Sequence, residues 1–455
     1  DPSVLHTTFS LGGKANGYGY IASTGNKQGN AGTATAYGAT YTTGDVIGVA
    51  LDMDAGTLTF YKNNVSQGVA FTGLTGVFAP AAGNYNSGVL NINFGQQPFT
   101  YTPPSGFNAL NTQNLPTPTI GNGATVMAAT TYTGTGSTQS ITNTVNGVSM
   151  KPDFVWIKSR SNAENHNVVD SIRGAGVWLA SNLTQAETND TGSYGVSTFN
   201  SNGFTVISNG TRTNANTYTY VAWQWQAGQG STSSNTSGSI TSTVSVNATA
   251  GFSIVTYTGT GANATVGHGL GVAPSMYIVK RRTGGVGNWA VWHTGLSNTT
   301  TSYILLDSTA AQSTSTSLWG STAATSTTIG IGTSVTTNNS TDTYVAYCWE
   351  AVKGFSAFGS YTGNGSTDGP FVYCGFRPRY ILIKMSSGAQ DWVVQDSARQ
   401  PYNDGYRHAL FPDLADAEYV DAYPTDFLSN GFKPRTSGNG VNASGSTYIY
   451  AAFAE

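Results

Sequence analysis

From Tyr361 to Lys384 the chain reads YTGNGSTDGPFVYCGFRPRYILIK: a two-glycine opening, then a proline and an apolar run that ends on a lysine. The same order occurs twice before. YTGTG begins at Tyr132 and again at Tyr257, and the runs KPDFVWIK and APSMYIVK end at Lys158 and Lys280 as RPRYILIK ends at Lys384. From Pro152, Pro274 or Pro378 to its lysine is six residues each time. Each copy closes on TYVAW, TYVAY or TYIYA, whose tyrosine (Tyr220, Tyr344, Tyr448) stands 87 or 88 residues after the opening tyrosine. SNGF at Ser201–Phe204 recurs at Ser429–Phe432. A period held this closely marks one structural unit used three times.

Within each copy the outer strands alternate apolar and polar residues, and a proline at the start of a strand is where a sheet tolerates one. Antiparallel sandwiches follow. WLASNLTQAE and LFPDLADAEY have room for single helical turns but lack the length for stable helices. Upstream, GDVIGVALDMDAGTLTFYKNNVSQGVAF (Gly44–Phe71) is a meander of two hairpins, turning at Asp54-Ala55-Gly56 and Asn63-Asn64. The fold class is therefore all-β: tandem antiparallel β-sandwich domains with little helix. The expected division is a β-sandwich over 1–110, a linker over 111–124, repeats over 125–229, 250–353 and 354–455, and a Ser/Thr/Gly-rich spacer over 230–249. The last two repeats meet at AVKGFSAFGSYTG without a spacer and are expected to pack as a rigid pair.

Composition agrees. At 455 residues the chain needs several cores, only 9% of residues are charged, and 38% are hydrophobic, enough to fill them. The net charge of −3 and the scattered basic residues argue against a nucleic-acid partner. No apolar run approaches the roughly 18–20 residues that would cross a bilayer. Two cysteines, Cys348 and Cys374, exclude a disulfide framework and leave two readings, a single bridge at a seam between repeats or two small buried apolar residues.

The residues able to carry chemistry form no catalytic or metal-binding pattern. Asp52 and Asp54 share a strand face, but a calcium cage needs further acidic ligands, and the sequence continues Thr-Leu-Thr-Phe-Tyr-Lys. DSIR at Asp170 and DSAR at Asp396 each begin 12 residues after their lysine, while the second repeat has His293 near that place, so these read as Asp-initiated turns with an arginine stapled over them. His6, His166, His268, His293 and His408 show no zinc-ligand spacing, and no serine nucleophile elbow occurs. No catalytic residue, metal or cofactor is expected. All nine tryptophans lie in the repeats; most read as core, whereas Trp178 in RGAGVWLAS and Trp319 in STSLWGSTA have small neighbours and are the candidates for exposed ligand-binding rings, suited to stacking on sugars.

Two resemblances extend this reading. The meander, followed by GVFAPAAG, LNINFGQQPF and YTPPSGF, resembles the C-terminal two-thirds of a SPRY domain over about Ala36 to Phe107. That likeness implies a β-sandwich that binds partners through its loops and has no catalytic residues; residues 1–35 look too short for the family's amino-terminal strands, implying a longer or processed parent chain. The repeats, over about 125–455, resemble modules of structural and tail-fibre-like proteins of tailed bacteriophages. That likeness implies a non-enzymatic, extracellular virion surface component, with other virion proteins and a host cell-surface glycan or receptor as partners, no membrane insertion, and the homotrimeric architecture usual for fibres, although no heptads are present. The alternatives are a glycan-cleaving virion enzyme and a secreted bacterial adhesin or sheath protein.

Overall fold

The glycines of the three opening motifs have different tasks. A Cβ on the first of them, Gly134, Gly259 or Gly363, would meet the carbonyl oxygen of Ala215, Asn339 or Ala443 at 2.1, 2.2 or 2.3 Å, so only glycine lets the two backbones approach. The second, Gly136, Gly261 or Gly365, turns the chain with φ of +69°, +76° or +67°. The motif thereby docks against the segment before the closing strand, where Gly134 N donates to Tyr218 O, Gly259 N to Asp342 O and Gly363 N to Ser446 O. Opening and closing tyrosines then stack in pairs, 5.1 to 5.2 Å between ring centres, as Tyr132–Tyr220, Tyr257–Tyr344 and Tyr361–Tyr448.

The computed structural model describes residues 11–454 apart from 14, 77, 84–88, 112–113, 115–117, 146, 404, 406–407 and 421–422. The chain divides into two compact units, 1–117 and 118–455. In the first, Tyr18–Tyr20, Asn26–Gly29 and Thr35–Ala36 form one antiparallel sheet, and Ile47–Asp52, Thr57–Lys62 and Val65–Phe71 form the expected meander. Tyr20, Leu58, Phe60, Ala70 and Leu74 make its core. Asp52 Oδ1 accepts from Asp54 N and Ala55 N at 3.0 and 2.9 Å, which caps the first hairpin turn and accounts for that carboxylate.

In the second unit each repeat builds the same four-stranded core of a sheet. The opening strand (Met127–Thr133, Phe252–Thr258, Ser356–Thr362) pairs with the closing strand (Thr219–Trp225, Thr343–Trp349, Thr447–Ala454). That strand pairs with the proline-to-lysine strand (Phe154–Ser159, Met276–Arg281, Pro378–Met385), which pairs with the next in sequence (Asn167–Asp170, Trp289–His293, Val393–Asp396). A smaller sheet faces each, built from Gln139–Thr142, Gly195–Asn200 and Gly203–Ile207 in the first repeat. The molecule is all-β, its described α-helices being single turns at Thr316–Trp319, Val335–Asn338 and Asn439–Asn442.

Two expectations need correction. The stretch 230–249 is not a free spacer: Ser233–Asn235 pairs with Ser242–Asn247, which pairs with the opening strand of the second repeat. Alternation in Ser242–Asn247, with Val244 buried, was concealed by the serine- and threonine-rich composition around it. The helical turns also lie elsewhere than WLASNLTQAE and LFPDLADAEY, which run as strand, turn and extended chain.

One core spans all three repeats. Trp225, Trp349 and Phe453 occupy the same place on the three closing strands and meet at a common centre: Trp225 lies 6.0 Å from Trp349 and 5.3 Å from Phe453 between ring centres. Trp156, Met276, Ile278, Tyr380, Leu382 and Ala451 complete the lining of a central void of about 10 Å³, barely the size of one water. The repeats thus surround a shared apolar centre, each contributing its lysine-bearing strand. Cys348 and Cys374 are both free and buried, and burial pushes each thiol up to about 12.

Candidate functional site

Two groups of chemistry-bearing residues stand out in the second unit: those consumed in the seams between repeats and those lining a cleft on the first repeat. The seams run in one rotational sense. Lys280 Nζ donates to Gly287 O at 2.7 Å and crosses to Thr184 O of the first repeat at 2.9 Å, and Lys384 Nζ crosses to Thr309 O of the second at 3.1 Å. Lys158 faces Asp416 and Glu418 of the third, closing the ring. Burial lowers each ammonium from 10.5 to about 8. Two residues past each lysine the backbone pairs across the same seam: Arg282 O accepts from Glu187 N, Ser386 O from Gln312 N, and Arg160 O from Glu418 N.

Further along, Trp289 Nε1 donates to Ala180 O at 2.9 Å and Trp392 Nε1 to Leu305 O at 2.8 Å. His166 stands in the equivalent place and does the same work. Its Nδ1 accepts from Trp156 Nε1 at 2.8 Å, which puts its proton on Nε2, 2.9 Å from Phe411 O. Burial, aided by Lys158, depresses this imidazole to about 3, so it stays neutral.

The DSIR and DSAR turns are stapled as expected, and they also reach the next repeat. Asp170 Oδ1 accepts from Ile172 N and Arg173 N, while its Oδ2 holds Arg173 Nε at 2.5 Å and the Tyr347 hydroxyl of the second repeat at 2.8 Å. Asp396 Oδ2 likewise holds Arg399 Nε at 2.6 Å and Trp223 Nε1 of the first repeat at 2.9 Å. In the second repeat His293 Nε2 lies 3.0 Å from Tyr450 O of the third. Each carboxylate is paired with its own arginine and a neighbouring ring, an arrangement that pins a seam rather than relays protons. Among the described residues no group of three or more His, Cys, Asp or Glu is placed to hold a metal ion; His6 lies outside them.

Neither tryptophan candidate is the exposed ring anticipated. Trp319 is fully buried, donating from Nε1 to Ser302 O at 2.9 Å and packing edge-on against Tyr277. Its small neighbours are not a bare surface; they form a helical turn whose C-cap, Gly320, lies in the left-handed region and seats the indole inside. Trp178 is 8% exposed. The Arg212 guanidinium covers it at 3.8 Å, and its Nε1 donates to Asp190 Oδ2 at 2.7 Å.

Trp178 nonetheless borders a cleft of about 280 Å³ that also involves Asn167, Asp190, Tyr194 and Arg212. Two turns shape it. Ser193 N and Tyr194 N close back on Asp190 O, and Thr213 N and Asn214 N on Gly210 O. Arg212 reaches Asp190 Oδ2 at 3.3 Å, tying the turns together across the indole. Tyr194 is 51% exposed at the rim.

Sequence reading missed two sets of residues. Asn214, Asn338 and Asn442 each lie six residues before the closing tyrosine, a spacing that was there to be found. Asn338 Oδ1 accepts from Thr260 N at 2.8 Å and its Nδ2 donates to Ala262 O and Gly332 O, bolting the opening motif to the closing strand. Asn167 was missed because only strand register isolates it: it pairs with Ile157, as Ala290 pairs with Val279 and Val393 with Ile383. An amide thus replaces the apolar residue of the other repeats.

A family model described as Domain of unknown function (DUF7483) matches residues 122–455, the whole of the three-repeat body. The chain belongs to the DUF7483 family. A second model, the SPRY domain, matches residues 3–97, so the N-terminal unit is a SPRY domain, and its likeness begins well before Ala36, where the sequence reading set it. In this region the DUF7483 chain is 42% identical over 85 residues to Ran-binding protein 10 of Danio rerio and 41% identical over 85 residues to Ran-binding protein 9 of Homo sapiens. It is 40% identical over 90 residues to the E3 ubiquitin-protein ligase RKP of Arabidopsis thaliana. These matches take in 18% of the chain and 14%, 12% and 7% of those relatives, so the likeness is to one domain of each. No solved structure gives a significant match.

Proposed function

We propose that this DUF7483 protein is a non-enzymatic surface component of a tailed-phage virion, a fibre-like or decorating protein that contacts the host surface. The observation that carries the binding half of this reading is how the ionisable side chains are used: Asp170, Asp396, Glu418 and the three lysines are committed to seams between repeats, while the cleft on the first repeat is lined by amides, hydroxyls, an exposed tyrosine and one ion pair, Arg212–Asp190. Seams so occupied make a rigid carrier for recognition loops. The SPRY domain adds a second module of the same kind. The phage assignment rests on the resemblance of the repeats to tail-fibre-like modules, and with it come a virion-surface location and virion proteins as neighbours.

Immunogold labelling of intact particles with an antibody to the repeat body tests this reading. Label at the tail tip or along fibres supports host contact, and uniform label on the head supports decoration. Absence from every particle refutes the virion assignment. Release of new reducing ends from host polysaccharide would refute the non-enzymatic part.

A further inference from the structure

The cleft on the first repeat holds two unspent hydrogen-bonding atoms. Asn167 is 1% exposed, yet its Oδ1 has no partner among the described residues; nor does the buried Nε of Arg212. Leaving such groups unpaired costs about 1–3 kcal/mol each, and the second and third repeats show that the fold does not need the amide, since Ala290 and Val393 fill its place. A residue that costs stability in one repeat and is absent from the other two is kept for what it meets.

We propose that this cleft binds a single neutral, hydroxyl-rich sugar ring, such as one residue of a cell-surface glycan. Asn167 and Arg212 both line the cleft; Asn167 Oδ1 and Arg212 Nε lie just beneath its surface, so a hydroxyl that reached them through a small side-chain adjustment would meet an acceptor and a donor, and a hydroxyl both donates and accepts. Asp190 balances the charge of Arg212, so the lining residues leave no net charge to attract an anion. The volume, about 280 Å³, is near the lower end for small-molecule sites. Asn209, Thr211 and Thr213 add polar lining, and Tyr194 supplies an exposed ring at the rim for the apolar face of a sugar. A nucleobase fits less well, because the indole that would sandwich it is already covered by Arg212.

This inference names a ligand class for the host-contact reading and rests on it for the ligand's source, but its chemistry is tested on the purified full-length protein. Saturation-transfer NMR is run with glucose, galactose, mannose and N-acetylglucosamine, with glucuronic acid as the charged control, on the wild type, Asn167→Val and Tyr194→Ala. Asn167→Val copies the third repeat and is expected to fold; Tyr194→Ala removes a half-exposed ring and keeps the test open should the first variant fail. The expected result is a signal from at least one neutral sugar, weakened at least tenfold in Kd in each folded variant, and none from the uronic acid. No signal from any neutral sugar, a signal indifferent to the folded variants, or preference for glucuronic acid overturns the proposal. Particles that carry the protein while this assay fails would refute the cleft alone, whereas cleft-dependent sugar binding without label on particles would refute only the virion reading.

Discussion

Replacing Glu418 by glutamine tests whether the three repeats are held as a ring. Glu418 comes from the third repeat, with a side chain 6% exposed. It accepts a forked pair of bonds from Arg160 of the first repeat, 2.8 Å from Nη2 and 3.0 Å from Nε, and also holds Arg399 Nη1 at 2.9 Å and His408 Nδ1 at 2.8 Å. Burial alone would raise its pKa, but Arg399 and Arg160 outweigh burial and bring it from 4.5 down to about 2. At about 1.36 kcal/mol for each tenfold change in proton affinity, that depression corresponds to about 3 kcal/mol of stability at neutral pH. Breaking a buried ion pair costs about 3–5 kcal/mol, which agrees. Because the folded value is depressed, the contribution is complete above 4.5 and is lost as pH falls through about 2. Glu418→Gln is therefore expected to lower stability at pH 7 by about 3 kcal/mol, and the gap to wild type should narrow by about 1 kcal/mol at pH 3.5. Urea unfolding followed by tryptophan emission reads both numbers. A change under about 0.5 kcal/mol at pH 7 would show that this seam is solvated and that the carboxylate does no more than an exposed pair.

Three further outcomes follow from the same geometry. Asn338→Ala strands Thr260 N and the carbonyl of Gly332 and takes one of two donors from Ala262 O, and should lower stability by about 3 kcal/mol in urea unfolding, with Asn442→Ala behaving alike. Trp319→Ala empties a fully buried site and should cost about 3–5 kcal/mol in the same measurement; loss of less than about 1 kcal/mol would return this ring to the surface. His166 and His293, depressed by burial to about 3 and about 4, stay neutral in the fold while the unfolded chain takes up protons near 6.5, so stability is full above 6.5 and is lost as pH falls toward those values. Asp413, raised by burial to about 7, acts in the opposite sense over the same range. Thermal midpoints from pH 7 to 4.5 should fall, and His166→Gln should flatten the slope.

What the sequence made legible was whatever repeats. The lysine-ending strands, the tyrosine pairs and the glycine openings are local and periodic, and each has a geometric cause that recurs at the same spacing. Partners across the seams were not legible, because Thr184, Thr309 and Phe411 contribute backbone carbonyls to them and a carbonyl leaves no mark on residue identity. The tryptophans misled for a related reason: small neighbours resemble exposure, yet around Trp319 they permit close burial and around Trp178 an arginine supplies the cover. Composition misled over 230–249, where serine and threonine suggested slack chain while alternation built an edge of sheet.

Carrying the three repeats in one chain has a consequence that three identical subunits could not reproduce. In a homotrimer every seam and every surface holds the same residues by symmetry. Here the seams keep one geometry with different chemistry, an imidazole at His166 where the others use the indoles of Trp289 and Trp392, and His293 near the place of Asp170 and Asp396. Freed from symmetry, one repeat can also accept a costly buried amide at Asn167 while the other two keep Ala290 and Val393 and their stability. A cleft lined by that amide on the first repeat follows from that divergence. It also sets the stoichiometry that sugar titration should return: one cleft-dependent site per chain, lost with Asn167→Val and not restored by the equivalent positions of the other repeats.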